Sequence, residues 1–212
     1  MYMHLTPEAA VCSAWRPCWP RPGQRLLRLA YSRTFPISHP STRLCLELLR
    51  EACQERAVLS LLDVGCGSGI LALTGALLGV PWNVGCDPAA AALRVSQANA
   101  RRNRLEDPVS WVQGSTEALR GTFDLVVANL PFPLQVAKRT ELLRLVDGHG
   151  RVILSGFRDT QEQELTDFYL SQAWRLQRRL TRERWEPEVP AELSYTWVGL
   201  YFVPAGSGPL QQ

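Results

Sequence analysis

A glycine-rich turn between an apolar run and a helix-like run constrains the fold more than any other stretch of the chain. The apolar residues 58–62 lead into Asp63, three glycines alternate over residues 65–69, and a second apolar run begins at Ile70. Glycine lets the backbone turn tightly and approach a ligand, and a helix start leaves N–H groups unpaired. We therefore expect a strand, a ligand-binding turn and a helix here, although a tight turn without a ligand would have the same local pattern.

A second predicted strand, residues 82–87, ends in another acid. Asp87 lies 22 residues after Gly65. Open α/β sheets place a carboxylate at this point to accept hydrogen bonds from both hydroxyls of a ribose. Pro88 then stands at the predicted first position of a helix that runs to about Asn103. The dinucleotide spacing G-x-G-x-x-G would need a third glycine where Ile70 stands, which disfavours a nicotinamide nucleotide.

Strand-like and helix-like segments alternate along the rest of the chain. A helix with Ser41 as its predicted N-cap precedes the first strand. The later predicted segments are strands at 109–112, 122–129 and 151–156, helices at 134–146 and 160–172, a turn at 147–150, and closing strands at 174–185 and 193–203. This alternation predicts an α/β, Rossmann-like fold with a seven-stranded, mostly parallel sheet and helices on both faces, closed by an antiparallel pair.

Length and composition fit one domain with a short N-terminal extension. The chain has 212 residues, 46% of them hydrophobic, and a net charge of +3. These values allow a full core and neither require nor exclude nucleic acid. Four prolines in the first 23 residues predict an irregular arm, with one possible strand in residues 24–35. We therefore divide the chain into an arm at 1–37, a main domain at 38–204 and a flexible tail at 205–212.

Cysteine and histidine usage does not indicate a metal site. The six cysteines include no C-x-x-C pair, and there are only three histidines. No apolar run is long enough to span a bilayer, and no targeting segment is recognisable. We therefore expect no metal, no membrane association and a reducing cytoplasm as the compartment.

Four stretches of the chain carry a resemblance to a known family. Asp63–Ala72 contains D-x-G-x-G-x-G, which is general to class I S-adenosylmethionine (SAM) methyltransferases. His39–Glu47, Phe123–Asn129 and Gly150–Gly156 are more particular. Together they resemble the PrmA-type ribosomal-protein lysine methyltransferases over about residues 38–202. The resemblance implies a class I methyltransferase fold with the strand order 3-2-1-4-5-7-6, SAM as the cofactor, and SAM contacts at Thr42, Gly65, Asp87 and Asn129.

This chain departs from the family pattern at two places. It has Ser32-Arg-Thr-Phe-Pro-Ile-Ser38 where the family has a glycine-rich loop, which puts the closure of that loop over the methionine end of SAM outside the resemblance. The family also carries a substrate-recognition domain in front of its catalytic domain, and residues 1–37 are too few to hold it. The resemblance therefore implies the catalytic body and not the ribosomal substrate.

The candidate cofactor-binding residues lie at the ends of the predicted strands and in the turns that follow them. They are Thr42, Asp63, Gly65, Gly67, Ser68, Gly69, Asp87, Pro88, Ser115, Thr116 and Asn129. Ser115 and Thr116 follow the third strand, at the height where an adenine would lie.

Asn129 and Phe132 are the candidate catalytic residues. The Asn129 side-chain oxygen can accept a hydrogen bond from the attacking nitrogen, and Phe132 can pack against it; a strand-end cap and a simple core position are the alternatives. His39 is either a general base or an anchor for its own loop. The acceptor pocket can also include Tyr31, Phe35 and Trp197.

Asn129-Leu-Pro-Phe132 is similar to the Asn-Pro-Pro-aromatic pattern of methyltransferases that act on amide or exocyclic amino nitrogens. This pattern predicts a methyltransferase acting on a nitrogen. The PrmA-like body of the chain implies a protein amine or amide first, with a nucleic-acid amino group or a small molecule as alternatives. A catalytically silent SAM-binding subunit and a nucleotide-dependent oxidoreductase are the rivals. The nucleic-acid alternative rests on Arg101, Arg102, Arg104, Arg175, Arg178, Arg179, Arg182 and Arg184. The substrate would be gripped by the N-terminal arm, by the loop at 187–190 or by a second subunit; the oligomeric state is left open.

Overall fold

Strands and helices alternate from residue 40 onwards in the computed structural model, which describes residues 2–15, 17–30, 38–184 and 195–206. The main sheet and its helices are built from α1 (Pro40–Glu55), β4 (Ser60–Val64), α2 (Ile70–Leu77), β5 (Trp82–Asp87), α3 (Ala90–Asn103), β6 (Val109–Gln113), β7 (Phe123–Asn129), α4 (Phe132–Arg144), β8 (Val146–Arg158), α5 (Glu162–Ser171), β9 (Trp174–Glu183) and β10 (Thr196–Pro204). Three further strands precede them: β1 (Tyr2–Thr6), β2 (Ala9–Ser13) and β3 (Arg25–Leu29).

The main sheet has seven strands in the order β6-β5-β4-β7-β8-β10-β9. Numbered from β4 along the chain, this is 3-2-1-4-5-7-6, so the predicted strand order is confirmed. Strand β10 runs antiparallel to β8 and β9, whereas the pairings among β4 to β8 are parallel. The carboxyl ends of β4, β5, β6, β7 and β8 therefore meet at one edge of the sheet, which is where such sheets bind ligands.

Side-chain alternation in the central strand places core residues on both faces of the sheet. In β7, Leu125 and Val127 join the apolar cluster that includes α1 and α2, whereas Val126 and Ala128 join the cluster that includes α4 and α5. All four are fully buried. A strand covered on both faces has this nearly continuous apolar sequence, so the predicted two-sided α/β architecture is confirmed.

The N-terminal segment is more ordered than the irregular arm that the prolines predict. Strands β1 and β2 are antiparallel, and β2 and β3 are parallel. The prolines at 17, 20 and 22 fall between β2 and β3 and so interrupt neither strand. Leu5, Val11 and Leu27 are buried in the same cluster as α1 and α2, so this small sheet extends the main core. Of these three strands, the sequence predicted only β3, as the possible strand within residues 24–35.

Two predicted helix starts are displaced by local hydrogen bonds. His39, and not Ser41, is the N-cap of α1, because the His39 ring accepts the N–H of Ser41 at 3.3 Å. Helix α3 begins at Ala90 and not at Pro88. The Asp87 carboxylate accepts the N–H of Ala89 at 2.9 Å, which leaves Ala89 extended as the N-cap.

Two boundaries near the fourth and fifth strands also differ. Helix α4 begins at Phe132 and not near residue 134, because Pro131 is its N-cap and a proline is tolerated in the first turn. The predicted turn at 147–150 lies inside β8. The register between β7 and β8 shifts here, because Phe123 pairs with Val146 and Leu125 pairs with Arg151. Tyr31, Phe35, most of the 32–38 stretch, the 187–190 loop and residues 207–212 of the tail lie outside the described residues.

Candidate active site

A cavity of about 230 Å³ opens at the carboxyl edge of the main sheet. It lies beyond the ends of β4 and β7 and is closed on its other sides by the start of α1 and by residues of β8 and β10. Its lining consists of His39, Ser41, Thr42, Asp63, Gly65, Cys66, Ser68, Ile70, Leu71, Asn129, Leu130, Pro131, Gly156 and Trp197. Among the described residues of this lining, Asp63 is the only acidic one, and none is a lysine or an arginine.

Hydrogen bonds within the glycine turn and to the end of β5 hold the turn in place. The N–H groups of Gly65 and Cys66 donate to the Cys86 carbonyl at 2.9 and 3.0 Å, and Gly69 donates to Cys66 at 2.7 Å. The Gly67 N–H donates to the Asp87 carboxylate at 3.1 Å. These four N–H groups are therefore paired within the protein and are not left open for a ligand.

The glycines of this turn supply space and an unusual backbone conformation. A Cβ on Gly65 would lie 2.4 Å from a Leu130 methyl carbon, and one on Gly69 would lie 2.5 Å from the Trp111 ring. Both glycines have positive φ, 68° and 77°. Side chains at these positions would push the turn away from its neighbours and fill the space beside the cavity.

Asp63 brings a buried carboxylate to the cavity wall. It is 1% exposed, and its Oδ2 accepts the N–H of Ala72 at 3.1 Å in the first turns of α2. Burial raises the pKa of Asp63 to about 7; the hydrogen bond from Ala72 opposes this rise, and the neighbouring Asp87 charge adds to it. A cationic ligand in this cavity would favour the ionised form of Asp63.

Asp87 organises the turn from the end of β5. Its Oδ2 accepts the Gly67 N–H at 3.1 Å, and its Oδ1 accepts the Ala89 N–H at 2.9 Å. A carboxylate has about four acceptor positions, so two remain for hydroxyl donors. Asp87 is 6% exposed and does not line the cavity. The carboxylate thus has a structural task in addition to the predicted ribose contact.

Asn129 and Thr42 meet across the mouth of the cavity. The Asn129 Nδ2 donates to the Thr42 hydroxyl at 3.4 Å, which joins the end of β7 to the first turn of α1. Within the described part of the chain, the Asn129 Oδ1 receives no hydrogen bond and the side chain caps no backbone group. The amide oxygen is therefore available to a donor in the cavity.

The segment after Asn129 is held by contacts that pattern analysis did not single out. Gln135 is fully buried, and its Nε2 donates to the carbonyls of Ala128 and Ser155, both at 2.8 Å. Gly156 has a φ of 100°, and a Cβ there would lie 2.4 Å from the Leu130 carbonyl oxygen. A glycine inside a strand is a signal of such a close backbone approach.

Trp197 of β10 forms one wall of the cavity, and His39 and Arg158 pack against its ring. The Trp197 ring packs edge-on against His39, with ring centroids 4.4 Å apart, and the Arg158 guanidinium lies 4.2 Å from the Trp197 ring centre. His39 Nδ1 also lies 2.7 Å from the Ser41 hydroxyl. These contacts agree with the anchoring alternative for His39, and Trp197 lies in the lining of the cavity.

Comparison with known proteins identifies the family. Residues 35–188 match the family model described as ribosomal protein L11 methyltransferase (PrmA). The chain belongs to this family.

Curated relatives in the PrmA family match only part of their own length. A ribosomal protein L11 methyltransferase of Ralstonia nicotianae is 39% identical over 79% of this chain and 54% of its own length. One of Sorangium cellulosum is 37% identical over 79% of this chain and 53% of its own. The chain thus spans about half the length of the curated relatives that it matches.

Solved structures show the same fold. The ribosomal protein L11 methylase of Lactobacillus delbrueckii subsp. bulgaricus superposes with a TM-score of 0.78 at 22% identity, over 96% of this chain and 97% of that one. The magnesium protoporphyrin IX methyltransferase of Synechocystis, solved with bound SAM, gives 0.60 at 19% identity over 74% of both chains. The predicted class I methyltransferase fold is therefore confirmed.

The structure brings some of the predicted residues of this PrmA-family chain together and leaves others apart. Those in the cavity wall are Thr42, Asp63, Gly65, Ser68 and Asn129. Those outside its lining are Gly67, Gly69, Asp87, Pro88, Ser115, Thr116 and Phe132. Ser115 and Thr116 follow β6, where the Gly114 N–H donates to the Asp87 carbonyl at 3.1 Å, so they lie near Asp87. Phe132 packs against the core on the α4 face, in agreement with its core alternative.

Among the described residues, no group of three or more metal-ligating side chains comes together. In the same part of the chain, every helix is too short or too polar to span a membrane.

Proposed function

We propose that this chain is a SAM-dependent methyltransferase that transfers a methyl group to a nitrogen atom. The observation that carries the proposal is that one cavity at the carboxyl edge of the sheet is lined by Thr42, Asp63, Gly65 and Asn129, which come from three separate segments of the chain. Three of these residues match SAM contacts of the family. Asp87, the fourth match, supports the turn beside them through the Gly67 N–H.

The charge of the cavity wall supports SAM as the cofactor. The methionine part of SAM carries a sulfonium, an ammonium and a carboxylate group and so has a net positive charge, and the described residues of the cavity offer the buried Asp63 carboxylate and no lysine or arginine. Asp63, Gly65 and Thr42 would hold this part of the molecule. Asp87, Ser115 and Thr116 would hold the adenosine part, where the free acceptor positions of Asp87 suit ribose hydroxyls.

Asn129 is the residue that we assign to the methyl acceptor. Bound SAM supplies an activated methyl group. An attacking nitrogen must be neutral, because a protonated amine has no lone pair. The free Asn129 Oδ1 accepts one N–H of the acceptor and so orients its lone pair, while Thr42 fixes the amide through the Asn129 Nδ2. After the transfer the methylated nitrogen carries one proton too many, and it loses this proton to solvent.

A protein is the acceptor that we propose, since the matched relatives are named for a ribosomal protein. The basic strand β9 supports a nucleic-acid acceptor less well than its sequence predicts. Arg179 pairs with Glu162 at 2.8 Å, Arg178 with Glu51 at 3.5 Å, and Arg182 with Glu47. Arginines that are already paired have less charge to offer to phosphates.

Two measurements test this function in sequence. Thermal shifts with SAM and with a nicotinamide nucleotide come first, and stabilisation by SAM alone is expected. A cell extract is then labelled with tritiated SAM and divided between protease and nuclease. Protein-bound label is the expected result. Label that survives both treatments and dialyses away would identify a small-molecule acceptor and overturn the proposal of a protein.

Asn129→Ala separates an enzyme from a silent SAM-binding subunit. The variant should fold, bind SAM within about tenfold of wild type and lose most transfer, because it removes the contact to the acceptor and, besides the hydrogen bond to Thr42, only a secondary contact to SAM. Wild-type protein that binds SAM and labels nothing would support the silent subunit. If Asn129→Ala transfers methyl groups within about a factor of two of wild type, the side chain has no role in the reaction.

We also propose the domain limits and the compartment. Residues 38–204 form the methyltransferase domain, and the segment before it adds a sheet that packs on the same core. We propose a reducing cytoplasm as the compartment, since the matched relatives are named for a ribosomal protein.

A further inference from the structure

Two asparagines, one helical turn apart on α3, hold one edge of strand β3. Asn103 binds both backbone groups of Arg28: its Oδ1 accepts the N–H at 2.7 Å, and its Nδ2 donates to the carbonyl at 2.8 Å. The Asn99 Oδ1 accepts the N–H of Ala30 at 2.9 Å. The two amides thus stand in for a neighbouring strand along β3 and attach the N-terminal sheet to α3.

Asn99 also reaches the glycine turn. Its Nδ2 donates to the Ser68 carbonyl at 3.0 Å, and its side chain is fully buried. Ser68 lies between Gly67 and Gly69 and lines the cavity. Asn103 makes a different second contact, to the carbonyl of Asn99 at 2.7 Å. One buried side chain therefore joins the cofactor turn to the N-terminal sheet, and its neighbour joins the helix to the sheet alone.

A turn with three glycines can adopt many conformations, and this backbone freedom must be restricted before a ligand binds well. The contact from Asn99 fixes the peptide plane of Ser68, and the Ser96 hydroxyl does the same for Gly67 by donating to its carbonyl at 2.9 Å. We propose that Asn99 is a positioning residue that preorganises the cofactor turn and couples it to the N-terminal sheet. This inference rests on the proposed function, in which the turn holds SAM.

Asn99→Asp and Asn103→Asp form a matched pair of variants. In Asn99→Asp, one carboxylate oxygen keeps the contact to Ala30, and the other faces the Ser68 carbonyl and repels it. At about pH 8 the affinity for SAM, measured by calorimetry, should fall by about ten- to a hundredfold. At about pH 5.5 the buried carboxyl is protonated, so it donates again and the affinity should recover. Affinities are divided by those of the wild type at the same pH, because Asp63 titrates in all three proteins.

Asn103→Asp places the same change at the contact with Arg28 and should keep SAM affinity within about threefold of wild type, with no recovery at low pH. The inference is overturned if Asn99→Asp stays within that range at high pH, or if the two variants weaken SAM binding equally. A wild-type protein that does not bind SAM would instead overturn the proposed function, and this inference with it.

Hydrogen exchange of the wild-type protein gives a second measurement that does not depend on a variant folding. Because Ala30 donates to Asn99 and Arg28 donates to Asn103, SAM should slow exchange at the Ala30 amide more than at the Arg28 amide. Equal slowing at both amides, or no slowing at Ala30, would show that the turn and the sheet are not coupled through Asn99.

Discussion

The fold shifts the pKa of Asp63 far enough for the effect on stability to be measured. Its pKa is raised from 3.8 to about 7 by burial, so its protonated form is favoured in the folded state. The contribution of Asp63 to stability is therefore fully present below about pH 4 and is lost as the pH rises through about 7. Asp63→Asn keeps the acceptor for the Ala72 N–H and removes the titration.

Without ligand, Asp63→Asn should gain stability relative to wild type between about pH 5 and pH 8, by up to a few kcal/mol. With SAM the order should reverse at the higher pH, because the variant lacks the carboxylate that faces the cation. Urea unfolding at the two pH values, with and without SAM, measures both effects. Parallel stability curves for the two proteins would show that Asp63 is ionised throughout.

Asp87 combines a structural and a binding task, and two substitutions separate them. Asp87→Ala removes the acceptors for Gly67 and Ala89 and the predicted ribose contacts, each worth roughly 1.5–3 kcal/mol. We expect lower thermal stability and at least about a tenfold loss of SAM affinity. Asp87→Asn keeps one acceptor, so its stability should lie between the stability of the wild type and that of Asp87→Ala. The exposed Asp107→Ala is the control for lost charge, and unchanged affinity in Asp87→Ala would exclude the ribose assignment.

At the scale of elements, the junction of β7 and β8 sets the position of Asn129. Gly156→Ala would place a Cβ 2.4 Å from the Leu130 carbonyl oxygen at a φ of 100°, so the segment after Asn129 must move. We expect a loss of roughly 1–3 kcal/mol in stability and a larger relative loss of turnover than of SAM affinity. Gly148→Ala, in the same strand with nothing within 4 Å of its Cβ, is the control. Equal behaviour of the two variants would contradict this account.

The sequence predicted those elements whose evidence is local. The apolar run of β7 and the turn with Asp63 and Asp87 identify the parallel sheet and its ligand edge, because strand burial and tight turns leave patterns within a few residues. The positions of β1 and β2 were missed, since prolines nearby obscured them and their burial depends on helices α1 and α2. The contacts of Asn99 and Gln135 join segments far apart in sequence, which no short pattern records.

At the scale of the whole molecule, the N-terminal sheet changes the expected effect of truncation. If the N-terminal arm binds the substrate, removing residues 1–23 should weaken methylation of the substrate more than SAM binding. That deletion would remove β1 and β2 and expose core residues such as Leu27, so it would also destabilise the fold. Leu27→Ala should by itself cost about 2–5 kcal/mol in the free energy of unfolding. A test of substrate binding therefore needs substitutions that leave the core intact.

Trp15 and Trp19 provide that test, because they are 74% and 81% exposed. Aromatic side chains, tryptophan above all, often carry much of the binding energy of an interface. The double variant Trp15→Ala, Trp19→Ala should unfold at the same urea concentration as wild type and bind SAM equally well. If the N-terminal segment grips the acceptor protein, labelling of the extract should fall at least about tenfold, as loss of one aromatic anchor predicts. The exposed pair Leu59→Ala, Leu170→Ala, on other surfaces, should label the extract like wild type. Equal labelling by all three proteins would assign binding of the acceptor protein to another surface of the molecule.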